Sequence, residues 1–387
     1  MVRSDFPKRT HHAPRTPVFL PKLASFAKKN VVLIIAVTLA VLTSIIVPPS
    51  REYLGYFDFK TLTCLFCTLA VICALKNVRF FTKIAERVVK IAGNTRMAVL
   101  MLVYITFIGS MLLANDMALL TFLPLGYYVL SSTGKEKHMA YTFILQNIAA
   151  NLGGMLTPFG NPQNLYIYEK FLIGNGEFVK IMFPPFALAV ALITACCFVL
   201  PREPLTLVGR DFAPLPKVKT AIYLVLFAFS IALVFRLVPY YIGLVLVPAA
   251  LLFLDRSALG KVDYGLLFTF VAFFIFAGNM SRIDAIRNFF AFLLEKNTLL
   301  TSAFSCQMIS NVPSAILLSQ FTENYHDLLL GVNIGGTGTI IASLASLITY
   351  REYVSHSPEK AKSYFGLFSL MNFGFLFVLL AFCSFMK

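Results

Sequence analysis

Charge is scarce in this chain. Only 13% of its 387 residues are Asp, Glu, Lys or Arg, against about 25% in an average soluble domain. With 58% of the residues hydrophobic, a soluble enzyme, a nucleic-acid-binding domain and a disordered chain are excluded. Histidine is scarcer still. The five (His11, His12, His138, His326, His356) are scattered, so no zinc or haem site is visible and no cofactor is expected. The seven cysteines give no framework. Cys64 and Cys67 form a C-x-x-C inside an apolar run with no His nearby, which reads as small apolar residues on one helix face. A nucleophile–base pair is missing as well, so no enzyme is expected.

What the chain has is long apolar runs, 39 Phe and a mean hydropathy of +0.78. Barrel strands alternate polar and apolar residues, whereas continuous runs read as helical spans. The expected fold is an all-α polytopic membrane protein, with the lipid bilayer as its first partner. The balance of 33 Lys+Arg against 18 Asp+Glu gives +15. The bases cluster between apolar runs, the signature of cytoplasmic loops beside anionic lipid, not of nucleic-acid binding. Seven lie in the first thirty residues (Arg3, Lys8, Arg9, Arg15, Lys22, Lys28, Lys29). The expectation is a cell (inner or plasma) membrane protein with a cytoplasmic N-terminus. That lead is too long for a signal peptide's n-region, and Ile46–Ser50 is no small-residue cleavage site, so the first apolar run is read as a retained span.

Uninterrupted runs place spans at about 31–47, 57–75, 178–200, 221–238, 240–254, 264–277 and 364–386. The stretches 97–130, 138–172, 299–321 and 327–350 are also apolar but carry Asn, Gly, Pro and Ser in their middles. Irregular backbone survives at membrane depth only where protein or a water-filled cavity covers it. Segments 77–93 and 281–297 suit helices lying in the interface. The chain divides into a basic segment 1–30, a first transmembrane repeat 31–200, a linker 201–218 and a second repeat 219–387.

The halves share motifs. Asn115-Asp116 precedes Asn151-Leu-Gly-Gly-Met-Leu-Thr157-Pro-Phe-Gly-Asn161-Pro-Gln-Asn164-Leu165. In the second half, Ser310-Asn311 precedes Asn333-Ile-Gly-Gly-Thr-Gly-Thr339-Ile-Ile-Ala-Ser343-Leu-Ala-Ser346-Leu347. Paired interrupted helices in corresponding places of two halves point to a secondary transporter's binding site. Pro158 and Pro162 each remove a helical donor, so the helix is expected to unwind over 157–164. Its freed carbonyls, with the side-chain oxygens of Asn161, Gln163 and Asn164, then face a cavity and stand in for the hydration shell of Na⁺. In the second half Gly335, Gly336 and Gly338 do the weakening. The flanks of Asn311 are too short to cross twice, so each Asn motif is expected at the tip of a re-entrant hairpin. Asp116 alone among the 18 acids lies deep in an apolar run. It reads as a coupling group, for Na⁺ or H⁺, with helix capping as the plainer reading. Arg236, beside Pro239 at a span end, reads as snorkelling to the interface.

At these motifs the sequence resembles the ion-transporter superfamily, particularly its citrate-transporter-like and divalent-anion/sodium symporter group, with arsenite permeases and one class of sodium/proton antiporters as relatives. Residues 151–165 look like that group's Gly-Gly-Thr…Gly-Thr-Pro-Pro-Asn signature. The resemblance implies two inverted repeats, each with a re-entrant hairpin and a broken helix, a homodimer, and elevator-type alternating access. It implies one sodium site from Asn115 with the Gly160-Asn161 loop and a second from Asn311 with the loop around Thr339–Ser343. A small anionic, di- or tricarboxylate-like substrate would sit between the tips, at Asn115, Asp116, Ser310, Asn311 and Asn164. The carboxylate-binding members carry Ser-Asn-Thr at both tips, where this chain has Ala114-Asn115-Asp116 and Ser310-Asn311-Val312. The acid at 116 looks more like the arsenite and antiporter relatives, in which it would be the titrating group of an exchanger.

Overall fold

The computed structural model describes residues 31–205 and 214–386. The expectations for the basic segment 1–30 and for linker residues 206–213 lie outside the described residues. The first half comprises α1 (Val31–Ile46), α2 (Phe59–Asn77), α3 (Phe80–Val89), α4 (Thr95–Leu112), α5 (Asn115–Ser132), α6 (Met139–Gly153), α7 (Pro162–Lys170) and α8 (Asn175–Phe198). The second comprises α9 (Lys217–Val234), α10 (Tyr240–Leu254), α11 (Arg256–Gly260), α12 (Tyr264–Ser281), α13 (Asp284–Ile309), α14 (Asn311–Leu318), α15 (Tyr325–Ile334), α16 (Leu344–His356) and α17 (Ala361–Phe385). Among the described residues six helices are long and apolar enough to cross a bilayer. The chain is an all-α polytopic membrane protein.

The repeat is visible element by element. Helices α3 to α8 recur as α13 to α17, with α13 standing for both α3 and α4. It is kinked at Asn297 (φ −163°, ψ 95°), which separates 284–296 from 298–309. An Asn starts the deep arm in both halves. Asn94 Oδ1 accepts from Met97 N at 3.0 Å and Asn297 Oδ1 from Leu300 N at 2.9 Å, satisfying donors that a helix N-terminus leaves over.

Both hairpins turn back. The arms 298–309 and α14 reach about 18 and 12 Å at 1.5 Å per residue, well short of the ~30 Å hydrocarbon core. Length does not decide for α4 and α5, which have 18 residues each. Glu203 decides: its backbone oxygen accepts from Thr95 N at 2.9 Å, and its carboxylate pairs with Lys135 Nζ at 2.6 Å. Both ends of the first hairpin therefore share one face, that of the linker. The second hairpin opens where Phe290, on the segment that leads into its first arm, stacks on Phe321, just past its second, at 5.1 Å. Phe171 packs on Tyr325 at 5.6 Å there, and the Tyr325 hydroxyl donates to Glu177 Oε1 at 2.6 Å. Glu177 opens α8, whose 24 residues end at Phe198 beside the linker. The two hairpins thus enter from opposite ends of α8, and the repeats are inverted.

Outside this unit, α1 lies along α12. Ala36, Ala40 and Thr43 are its buried residues, a small-residue stripe that lets two helices approach closely. Asn279 Nδ2 donates to Thr43 Oγ1 and Ser44 Oγ, both at 3.2 Å.

Candidate functional site where the broken helices cross

Helix α6 ends at Gly153. A 3-10 turn, Gly154–Leu156, and a non-helical stretch follow before α7 begins at Pro162. The unwound stretch is shorter than the sequence suggested. Pro162 starts a helix instead of breaking one, because the first helical position needs no N–H, and Asn164 lies inside α7. Three of the freed carbonyls are taken up by a side chain of the same segment. Asn164 Nδ2 donates to Gly154 O, Met155 O and Thr157 O, each at 3.2 Å. In the second half Gln307 does this work from the hairpin arm: Nε2 donates to Gly335 O at 2.8 Å and Thr337 O at 3.0 Å, and Oε1 accepts from Thr339 N at 2.8 Å. Buried main-chain oxygens need such partners.

The glycines mark close crossings. A Cβ on Gly153 would stand 2.6 Å from Ser110 Oγ on α4; one on Gly335 would stand 2.8 Å from Ala303 O on α13. Thr157 and Thr339 repeat each other, Thr157 Oγ1 donating to Met111 O at 2.7 Å and Thr339 Oγ1 to Gln307 O at 3.1 Å.

Between the halves the contacts are reciprocal. Asn161 Nδ2 donates to Asn333 Oδ1 at 3.3 Å, and Ser343 Oγ donates to Asn151 Oδ1 at 2.9 Å. The offset that carries Asn151 onto Asn333 also carries Asn161 onto Ser343. One contact is therefore the other after the halves are exchanged, the mark of a pseudo-two-fold axis through this point. Gln163 Nε2 also donates to Asn333 Oδ1 at 3.3 Å, and Asn333 Nδ2 donates to Asn164 Oδ1 at 2.5 Å.

The tips arrive at the same place. Asn115 Nδ2 donates to Asn151 Oδ1 at 3.0 Å. Asn311 N donates to Ala342 O at 2.9 Å, and Ser310 Oγ donates to the same oxygen at 3.3 Å. Asn115 Oδ1 and Asn311 Oδ1 each accept the next residue's N–H at 2.9 Å. Asp116 is no N-cap, since Ala114 holds that position. Among the described residues its buried Oδ1 has no hydrogen-bond partner, and the same is true of Asn161 Oδ1 and Gln163 Oε1. Of the expected site residues, Asn115, Asn161, Asn164 and Ser343 meet directly or through Asn151 and Asn333, and Asn311 joins them through the backbone oxygen of Ala342, next to Ser343. Thr339 lies against Gln307, and Gly160 folds against Gly154.

The electrostatics are mixed by construction. Helices α5, α7, α14 and α16 begin at the crossing, and α4, α6, α13 and α15 end there. N-termini carry partial positive charge and C-termini partial negative charge. The N-cap residues Ala114, Asn161 and Ser310 make no side-chain capping bond.

Three groups of residues escaped the sequence reading in this role. Asn151 and Asn333 were visible as repeated motif residues, and their repetition was the available signal. Gln307 carried none, because it sits on a hairpin arm far from the motif it braces. The third is a buried ionic cluster. Glu169, 4% exposed, pairs with Lys60 Nζ at 2.5 Å and Arg236 Nε at 3.1 Å. Glu169 lies near the end of α7, and its partners lie at the start of α2 and just past the end of α9, so the cluster closes span ends, and Arg236 does not snorkel. It takes φ 62° after α9 and turns inward, donating to Tyr168 O at 2.5 Å and Ile173 O at 3.1 Å. A cation is favoured there because those carbonyls close the C-terminal end of α7.

Comparison with known proteins agrees with this architecture. The CitMHS citrate transporter family profile matches residues 23–325, which include both hairpin tips and the first broken helix. An uncharacterized transporter of Methanocaldococcus jannaschii, MJ0456, is 31% identical over 314 residues, covering 81% of this chain and 86% of that protein. The inner membrane protein YbiR of Escherichia coli is 28% identical over 309 residues, covering 78% and 82%. With two inverted halves crossing at paired broken helices, and with the family profile spanning most of its length, this chain belongs to the citrate transporter family and is a membrane transporter.

Proposed function

We propose that the chain carries a small anion of the di- or tricarboxylate kind across the cell membrane, coupled to Na⁺ or H⁺. The observation that carries this reading is the crossing itself, where four helix N-termini and the side-chain oxygens of Asn161 and Gln163, without partners among the described residues, share one point. N–H groups at helix starts suit a carboxylate. Oxygens of Asn161 and Gln163, with helix C-termini beside them, suit Na⁺, which transporters of this build hold on unwound backbone and half-helix C-termini. Asn115, Asn161 and Gly160 form one cation site and Asn311, Thr339 and Ser343 its pseudo-symmetric partner. Asn115, Asp116, Ser310 and Asn311 face the substrate, and Asn164 holds the loop that carries Gly160 and Asn161 beside it. Transport proceeds by an elevator movement in a homodimer.

Charge supports the orientation. The linker face gathers Arg79, Lys83, Lys135, Lys137, Lys217 and Lys219, with Lys135 and Lys137 sharing the single carboxylate of Glu203, while on the other face Arg282 and Arg287 each have an acid of their own, Glu52 and Asp284. By the positive-inside rule the linker face is cytoplasmic, and α1 starts there, so the N-terminus is cytoplasmic too.

A second reading is favoured by one observation, the partnerless Oδ1 of Asp116. Here the protein exchanges arsenite, or Na⁺ against H⁺, with Asp116 titrating. Uptake of labelled citrate, succinate and arsenite into proteoliposomes under imposed Na⁺ or pH gradients separates the two. Gradient-driven carboxylate uptake that Asn161→Ala impairs is expected. Cation exchange with no carboxylate flux would overturn the first reading in favour of the second.

A further inference from the structure

The two halves repeat one another, but the brace that holds each broken helix does not. The offset that carries Asn115 onto Asn311 carries Met111 onto Gln307, and the offset that carries Asn151 onto Asn333 carries Asn164 onto Ser346. Each half therefore sets one amide among the carbonyls of its broken helix, at places that do not correspond. Asn164 belongs to α7 and braces the first loop from within its own helix. Gln307 belongs to the hairpin arm of α13 and braces the second loop from outside, bonding Gly335 O, Thr337 O and Thr339 N. Gly338 takes φ 116°, and a Cβ there would run into the Gln307 amide, so the loop is moulded on this side chain. Met111 offers the first loop only its backbone oxygen, to Thr157 Oγ1.

The tips divide in the same way. Asn311 N and Ser310 Oγ both donate to Ala342 O, at 2.9 and 3.3 Å. Among the described residues no bond joins Asn115 N to Gly160 O, the corresponding pair. Ser305 Oγ and Ser314 Oγ share a hydrogen bond across the second hairpin at 2.9 Å, where the first has Gly109 and Ala118. At the crossing, the oxygens without partners among the described residues, on Asp116, Asn161 and Gln163, all belong to the first half. Elements that move to pass a ligand are those with the least to break. We propose that Gln307 is a positioning residue for transport. It makes the second tip one body with its broken helix, so the Asn115-Asp116 tip is the one that parts from its own broken helix to admit and release the ion. The first hairpin enters from the linker face, and the space its tip vacates opens toward that face. This rests on the crossing being where ion and cargo bind.

Hydrogen exchange of the purified full-length protein, read by mass spectrometry, tests this without any cargo. In the parent, amides of the first tip, residues 112–118, should exchange about tenfold faster than those of the second, residues 308–314. Gln307→Met gives the second half the residue of the first. It should speed exchange at the second tip and the second loop, residues 335–343, together by about tenfold and leave the first tip unchanged; a packing defect alone would instead spread along α13. The reciprocal Met111→Gln should slow exchange at the first tip, and it decides the matter even if Gln307→Met fails to fold. Equal exchange at the two tips of the parent, or a first tip that Met111→Gln leaves exchanging as before, overturns the proposal. Uptake of labelled citrate into proteoliposomes is read alongside, and Met111→Gln should lower the maximal rate severalfold with KM little changed. A first tip that is slowed while the maximal rate equals the parent's overturns the gating role. A parent that moves no citrate would overturn the carboxylate reading alone, because the exchange comparison decides the inference without cargo.

Discussion

Replacing Asn333 by Ala tests the crossing directly. Asn333 Oδ1 accepts from Asn161 Nδ2 and Gln163 Nε2, and its Nδ2 donates to Asn164 Oδ1 and Leu329 O. Asn161 Nδ2 keeps a second acceptor, the backbone oxygen of Asn151 at 3.2 Å. Gln163 Nε2 and Asn164 Oδ1 would be left unpaired and buried. Each such group costs about 1–3 kcal/mol, so the substitution should destabilise the protein by about 2–6 kcal/mol, at the upper end for one residue. Adding Gln163→Ala removes one of the stranded groups, so the double variant should be less damaged than the two losses added together, by about 1–3 kcal/mol. Asn151→Ala should resemble Asn333→Ala, because Asn151 holds Asn115 and Ser343 in the corresponding way. Unfolding followed by circular dichroism during graded addition of SDS reads all five proteins: the parent, the three single variants including Gln163→Ala, and the double variant. An Asn333→Ala protein that unfolds with the parent, or a double variant that is strictly additive, would refute the reasoning.

Other outcomes follow from the rest of the molecule. Asp116→Asn should abolish H⁺-driven uptake while sparing part of any Na⁺-driven uptake; an unchanged pH dependence of flux would remove the proton role. Glu169→Gln leaves Lys60 and Arg236 without their shared carboxylate and should cost about 3–5 kcal/mol, seen as a large fall in melting temperature that the volume-matched Lys60→Met alone does not reach. Glu203 closes the mouth of the first hairpin. Hydrogen bonds from Lys135 and Lys137 hold its carboxyl down at about 2, from an ordinary value of 4.5. A depressed carboxyl stabilises above its ordinary value and loses that contribution as pH falls toward the depressed one. The amide of Thr95 should therefore stay protected from hydrogen exchange above about pH 4.5 and lose protection progressively from there down to about pH 2, while Glu203→Gln should show no such step.

Much of the fold was legible because a bilayer forces it to be. Apolar runs of about 20 residues have few alternatives to helix in lipid, so α1, α2 and α8 to α10 were placed within a few residues, and α10 at its observed limits. The repeat was legible through Asn, Gly-Gly and Thr at matching intervals. The hairpin tip at Asn311 followed from flanks too short to cross, and that at Asn115 from its matching place in the repeat. The broken segment was located, but its interior was misjudged. Two prolines predict loss of helix without saying which freed carbonyls find partners, and the Asn164 amide takes three of them.

By itself the sequence determined a helical membrane chain of two related halves, with polar breaks at the same four places. Tertiary structure alone decided that the halves are inverted, because that depends on Glu203 tying both ends of one hairpin to the linker while Phe290 and Phe321 close the other at the far end of α8. It also decided that Arg236 turns inward to Glu169, residues far apart in the chain whose pairing no local pattern encodes. Periodicity and composition report each segment's preference for lipid or water. Which segment satisfies another's leftover donors and acceptors is settled only when they meet.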